Sequence, residues 1–170
     1  NIEALDDAVE KLIRLTDCLT VAAVGANISA GGAFAAMACD VVLARRGAVW
    51  NPHYRNIGNL YGSEYWTYVL PRRVGEGRVK AIVDNRLPLG AEDALDLGIA
   101  DEVFAGAAET FAPWVRDRAM ALSRDPSWGE AIRAKRLGRE RDEARKSLSC
   151  YREEELAHMR LNFFGFDPSY

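Results

Sequence analysis

The stretch NPHYRNIGNLYGSEYWTYVLPRR, residues 51–73, gathers four tyrosines, a tryptophan, a histidine and a single glutamate. Glu64 is its only carboxylate, and an acid among rings is a group that could move a proton where water is scarce. Tyr54, ten residues earlier, could donate a hydrogen bond or relay a proton, and His53 is a further acid–base candidate. Asn51 and Ser63 are polar groups that could orient such a pair. Each has a plainer reading. A glutamate near a helix start offsets the helix dipole at the surface, a tyrosine buries its ring and leaves its hydroxyl wet, and His53 beside Pro52 stacks in a loop. Tyr61, Tyr65 and Tyr68 lie at helical spacing and divide between core and pocket wall.

A second chemical feature precedes this block. In VGANISAGGAFAAMACD, residues 24–40, a strand ends, Gly31 and Gly32 turn the chain, and a helix of small residues begins. The first amides of a helix have no partner inside it, and the dipole behind them favours a negative charge in front. Such a turn can hold an anion or a developing oxyanion. It can equally serve tight helix–sheet packing. The segment has neither the Lys-Ser/Thr of a P-loop nor the glycine spacing of a dinucleotide fingerprint.

These features need elements to position them. Ile2, Leu5, Val9, Leu12 and Ile13 recur at helical steps, so residues 2–15 read as an amphipathic helix. LTVAAVGA (19–26) reads as a buried strand, 28–40 as the glycine turn and its helix, and 41–51 as two extended pieces around Gly47. Helices are expected over 76–84 and 89–98, the latter ended by Gly98 in a left-handed cap, then a strand over 99–104. Beyond residue 105 the chain reads as helix: 107–123, a second after RDPSW, and 151–162. RAKRLGRERDEARKS carries charges four apart, the mark of a solvated helix face. Strands and helices alternate up to residue 105, an α/β pattern with few strands for so much helix.

Composition narrows the partners. The chain has 170 residues and a formal net charge of −3, which suits one soluble globular core and offers no broad nucleic-acid footprint. No apolar run reaches transmembrane length. Cys18, Cys39 and Cys150 have no metal-type spacing, and an odd number fits a reducing cytoplasm better than a disulfide framework. No metal site is expected.

The run TVAAVGANISAGGAFAAMACDVVLARRGAVW, followed by VLPRRVG and LPLGAEDALDLGIADEVF, resembles the crotonase (enoyl-CoA hydratase/isomerase) superfamily. The resemblance implies a crotonase-like spiral ββα fold, with residues 1–105 as the second half of the core and 106–170 as a helical region and docking tail. It implies an acyl-CoA substrate whose thioester oxyanion is held by the amide of Gly31, a second donor coming from a loop in a preceding half of the domain. The two hydratase glutamates fall at Phe34 and at His53 or Tyr54, so the hydratase acids are missing. NPHYRNIGNLYGSEYWTYVLPRRVG, NIEALDD and YREEELAHMRLNFFGFDPSY further resemble the crotonase-like part of the HypX/HoxX hydrogenase-maturation proteins.

That resemblance implies cleavage of formyl-CoA to carbon monoxide and coenzyme A for nickel–iron hydrogenase. The formyl group would come from formyl-tetrahydrofolate through an upstream formyltransferase-like domain, so the folate belongs to that domain alone. It casts Tyr54 and Glu64 as the functional pair, with Gly31 and then His53 beside them. Gly32, Asn51, Ser63, Tyr61 and Arg72 are expected around the CoA ester, Arg72 and Arg73 meeting its phosphates. Other hydrogenase-maturation proteins are the implied partners, and NFFGFDPSY is expected to dock across a groove. Two alternatives stand beside it: a crotonase-type hydratase, isomerase or lyase for another small acyl-CoA, and a silent module that binds CoA without turnover.

Overall fold

A computed structural model describes residues 2–166. α1 (Ile2–Arg14) leads into β1 (Val21–Val24), β2 (Ile28–Ser29) and α2 (Ala30–Met37), then β3 (Val41–Arg45) and β4 (Trp50–Asn51). α3 (Trp66–Val74), α4 (Glu76–Asp84), α5 (Ala91–Asp96) and β5 (Glu102–Phe104) follow. A short 3-10 turn precedes α6 (Phe111–Arg124), α7 (Trp128–Arg145) and α8 (Leu148–Phe164).

Both sheets are parallel among the described residues. β3 lies between β1 and β5, with Val21 opposite Val41 and Leu43 opposite Glu102, while β2 pairs with β4 through Ile28–Trp50 and Ser29–Asn51. A strand covered on both faces should be apolar throughout, and Val42, Leu43 and Ala44 are fully buried. α2 is built of small residues because it touches structure on several sides: it packs on α1, α3, β1, β2 and β4. Asp40 ties the sheet to the helical region. It accepts from the Thr20 amide and hydroxyl at 2.6 and 2.8 Å and from Lys135 Nζ at 2.7 Å. The α/β content with a helical tail follows the pattern expected from the sequence.

Most expected elements appear within a few residues. Gly98 takes φ +82° after α5, and β5 is shorter than expected because the Ile99 and Ala100 amides turn back to the Ala94 carbonyl. Three expectations need correction or completion. The aromatic block is not one helix: α3 begins at Trp66, and Glu64 and Tyr65 before it have φ +60° and +58°. The charged face of α7 is not simply solvated, since Lys135 reaches Asp40 and the Cys18 carbonyl. Arg139 of the same helix covers the Tyr68 ring. The tail NFFGFDPSY lies partly outside the described residues: Asn162–Phe164 complete α8, and Phe164 and Phe166 are exposed. No helix among the described residues is long and apolar enough to cross a membrane.

Candidate active site

The glycine turn enters α2 abruptly. Ala30 has φ +47°, an unfavourable value for a residue with a β-carbon, and Ser29 makes no side-chain cap. The first amides of α2 therefore have neither an intrahelical partner nor a serine oxygen in front of them. Gly31 and Gly32 line a cavity of about 380 Å³ with Leu5, Ala8, Val9 and Leu12 of α1, Ala30 and Ala35 of α2, Tyr54 and Glu64. The wall is aliphatic apart from the phenol and the carboxyl.

The loop from β4 to α3 brings that pair in. The Tyr54 ring stacks on Phe34, with centroids 5.6 Å apart and an interplanar angle of 21°. The ring also lies against Gly62, where a β-carbon would stand 2.0 Å from ring carbon Cδ2. The Tyr54 hydroxyl donates to Glu64 Oε2 and lies 3.1 Å from the Ser63 carbonyl. Ser63 Oγ adds a second bond to Oε2 at 2.9 Å. With Oε2 held by two hydroxyls, Oε1 faces the glycine turn: a β-carbon on Gly31 would lie 3.0 Å from it and 2.8 Å from the carboxyl carbon. Glu64 is only 5% exposed. Burial first, then the charge of Glu64 and the bond donated to it, push the Tyr54 phenol far above its ordinary range, so Tyr54 is a neutral donor.

Gly31, Gly32, Tyr54, Ser63 and Glu64 are thus brought together. Asn51 stands on β4 opposite Ser29, beside the turn. His53 is buried but does not line the cavity, and neither ring nitrogen has a hydrogen-bond partner among the described residues. Burial, then Arg86 and Arg55, hold its imidazole below the ordinary range. Tyr61 stacks on His158 at 4.0 Å and leans on Trp66, away from the cavity. Arg72 pairs with Asp142 and lies over the Tyr68 ring. It lines a separate cleft of about 400 Å³ with Arg73, Lys135 and Arg139. Arg73 is held by Asp101 and the carbonyls of Met37, Cys39 and Asp40. Neither arginine lines the Gly31 cavity.

Sequence reasoning missed Asp6 and Glu155, each 1% exposed. Asp6 Oδ1 accepts the Glu64 amide at 2.8 Å. Glu155 Oε2 accepts the Tyr65 amide and Oε1 the Thr67 amide, both at 2.9 Å, together with the Thr67 hydroxyl. A signal was present: Asp6 falls on the stripe of Val9 and Ile13, and Glu155 on that of Leu148 and Met159.

The sequence model described as Enoyl-CoA hydratase/isomerase matches residues 3–150. The chain belongs to the enoyl-CoA hydratase/isomerase (crotonase) family. It is 46% identical over all 170 residues to the hydrogenase maturation factor HoxX of Bradyrhizobium diazoefficiens, covering 30% of that protein. The crystal structure of HypX from Aquifex aeolicus in complex with tetrahydrofolic acid superposes with a TM-score of 0.92 at 44% identity, over 100% of this chain and 30% of that one. An enoyl-CoA hydratase from Bacillus halodurans matches with a TM-score of 0.79 at 21% identity, over 96% of this chain and 62% of that one, and shares the fold. The chain spans less than a third of the length of its HoxX and HypX relatives. It is a homologue of the crotonase-like region of these maturation proteins.

Proposed function

We propose that this chain is the crotonase-like part of a HypX/HoxX-type protein and that its site cleaves formyl-CoA to carbon monoxide and CoA. The observation that carries the reading is the Tyr54-bound Glu64 carboxylate pressed against Gly31 in an apolar cavity. Removing the formyl proton needs a base, a polarised carbonyl and the exclusion of water, which would otherwise hydrolyse the thioester. On this reading the Gly31 amide donates to the thioester oxygen, and Glu64 Oε1 takes the formyl proton. The carbon–sulfur electron pair leaves with sulfur, carbon monoxide departs, and the proton returns to the thiolate. Tyr54 and Ser63 fix the carboxylate and balance its charge as the proton comes and goes.

Hydration of an enoyl thioester is disfavoured because Phe34, where a hydratase acid would fall, is fully buried and stacked on Tyr54. Gly32 and the α1 wall would hold the acyl end of the CoA ester, with Asn51 at its edge. Residues 1–105 would then be the second half of the core and 106–170 its helical region and docking tail. The formyl group would arrive from formyl-tetrahydrofolate through a formyltransferase-like domain of a longer polypeptide, and hydrogenase-maturation proteins would receive the product.

The test supplies the complete protein with formyl-tetrahydrofolate and CoA and follows carbon monoxide by the haemoglobin spectral shift. Wild type should produce it and Glu64→Gln should not. A silent wild type would overturn the reaction. Undiminished product from Glu64→Gln would overturn the assignment of the base.

A further inference from the structure

Glu64 and Tyr65 are consecutive residues with side chains in the left-handed region, at φ +60° and +58°. Such a conformation is unfavourable for a residue with a β-carbon and persists only where its surroundings impose it. What imposes it here comes from two distant helices. α1 offers Asp6 to the Glu64 amide, and α8 offers both oxygens of Glu155 to the amides of Tyr65 and Thr67. α8 continues along the same loop, where Met159 Sδ accepts the Gly62 amide at 3.1 Å and Asn162 Oδ1 the Tyr61 amide at 2.7 Å. Residues 155, 159 and 162 follow helical spacing, so one face of α8 is a row of acceptors for this loop. The family match ends at residue 150, just inside α8, so this row lies outside it.

Neither acid is held there cheaply. Asp6 Oδ2 makes no hydrogen bond among the described residues, with Arg152 Nε 4.0 Å away. Burial pushes Asp6 above its ordinary range and Glu155 up to about 7. Two buried carboxylates beside a third are poor stabilisers of a fold, which points to a task at the site.

We propose that Asp6 and Glu155 are positioning residues of this site, gripping the successive amides of Glu64 and Tyr65 so that the Glu64 carboxylate is held against Gly31. The proposal rests on the reading of Glu64 as the proton-moving acid. It makes an asymmetric prediction. Asparagine at position 6 keeps an oxygen for the Glu64 amide, so Asp6→Asn preserves the grip while Asp6→Leu releases it. Glutamine at position 155 must turn an NH₂ toward either the Tyr65 or the Thr67 amide, so Glu155→Gln breaks one of two bonds. A role confined to charge burial would make both neutralisations alike.

The experiment measures backbone hydrogen exchange over residues 61–68 in the complete protein and its three variants, alongside kcat and KM for carbon monoxide release from formyl-CoA. Asp6→Leu and Glu155→Gln are expected to speed exchange about tenfold or more in this segment. They should lower kcat roughly 10- to 100-fold with KM within about threefold, while Asp6→Asn stays near wild type in both. Equal exchange in all four proteins would overturn the grip, as would unchanged kcat where protection is lost. If Asp6→Leu does not fold, the contrast between Asp6→Asn and Glu155→Gln decides. A wild type that releases no carbon monoxide would sink the reaction assigned to the site, while the exchange data would still decide the grip.

Discussion

The carboxyl carbon of Glu64 lies so close to Gly31 that a β-carbon at position 31 would stand 2.8 Å from it. The acid of the aromatic loop thus packs directly on the Cα of Gly31, at the start of α2. Gly31→Ala leaves the backbone donor in place but drives the carboxylate away from it. Carbon monoxide release should fall on the order of 100-fold, while the thermal midpoint moves by only about a few degrees. A haemoglobin assay beside a calorimetric scan checks this, and an unchanged rate would separate the two residues functionally.

Tyr54 should act as a neutral hydrogen-bond donor at every working pH. Burial and the charge of Glu64 both favour its protonated form, so no alkaline limb of the rate profile up to about pH 10 should come from it. Tyr54→Phe is expected to lower kcat roughly 10- to 100-fold. In ultraviolet titration it should leave the number of tyrosines ionising below pH 10 unchanged. A lost ionisation in that range would contradict the burial of the phenol.

Gly62 is needed for the shape of the same pair. Its φ is +95°, and a β-carbon there would overlap the Tyr54 ring. Gly62→Ala is therefore expected to destabilise the protein by about 2 kcal/mol or more through overpacking and backbone strain. Urea unfolding should show a lower midpoint with the slope retained, and phenol displacement should also reduce activity.

The buried acid of α8 has a signature in stability against pH. The Glu155 pKa rises from an ordinary 4.5 to about 7, so between these values the folded protein binds more protons than the unfolded chain. Stability must then fall as pH rises through this window. The span is worth at most about 3 kcal/mol, and Asp6, also raised by burial, acts in the same direction. His53, held below its ordinary range, acts in the opposite direction, so the readout is the change on substitution: relative to wild type, Glu155→Gln should lose stability at pH 5 compared with pH 8. An unchanged pH dependence of the unfolding midpoint in Glu155→Gln would refute the account.

The regular elements were legible because their causes are local. The spacing of Ile2, Val9 and Ile13 fixes α1, and the β-branched run around Val21 gives β1. Glu64 stood out locally as the one carboxylate among rings, but a surface acid at a helix start was the plainer reading, and its pairing with Tyr54 came from the family resemblance. The loop itself resisted reading for a physical reason. Tyr61, Tyr65 and Tyr68 have helical spacing, yet the amides of Glu64 and Tyr65 are claimed by acids 58 and 90 residues away. Long-range acceptors override a local period, and no window of sequence contains both partners. The acids Asp6 and Glu155 could have been flagged as charges on apolar stripes, although not the amides they reach.

The bond between Tyr65 and Glu155 closes 90 residues of chain, which bears on when during synthesis the cleft acquires its final form. A growing polypeptide can assemble β1, α2 and β3 early, but the seat of Glu64 lacks one of its two supports until α8 has left the ribosome. Nascent intermediates would accordingly carry the glycine turn before Glu64 is held against it.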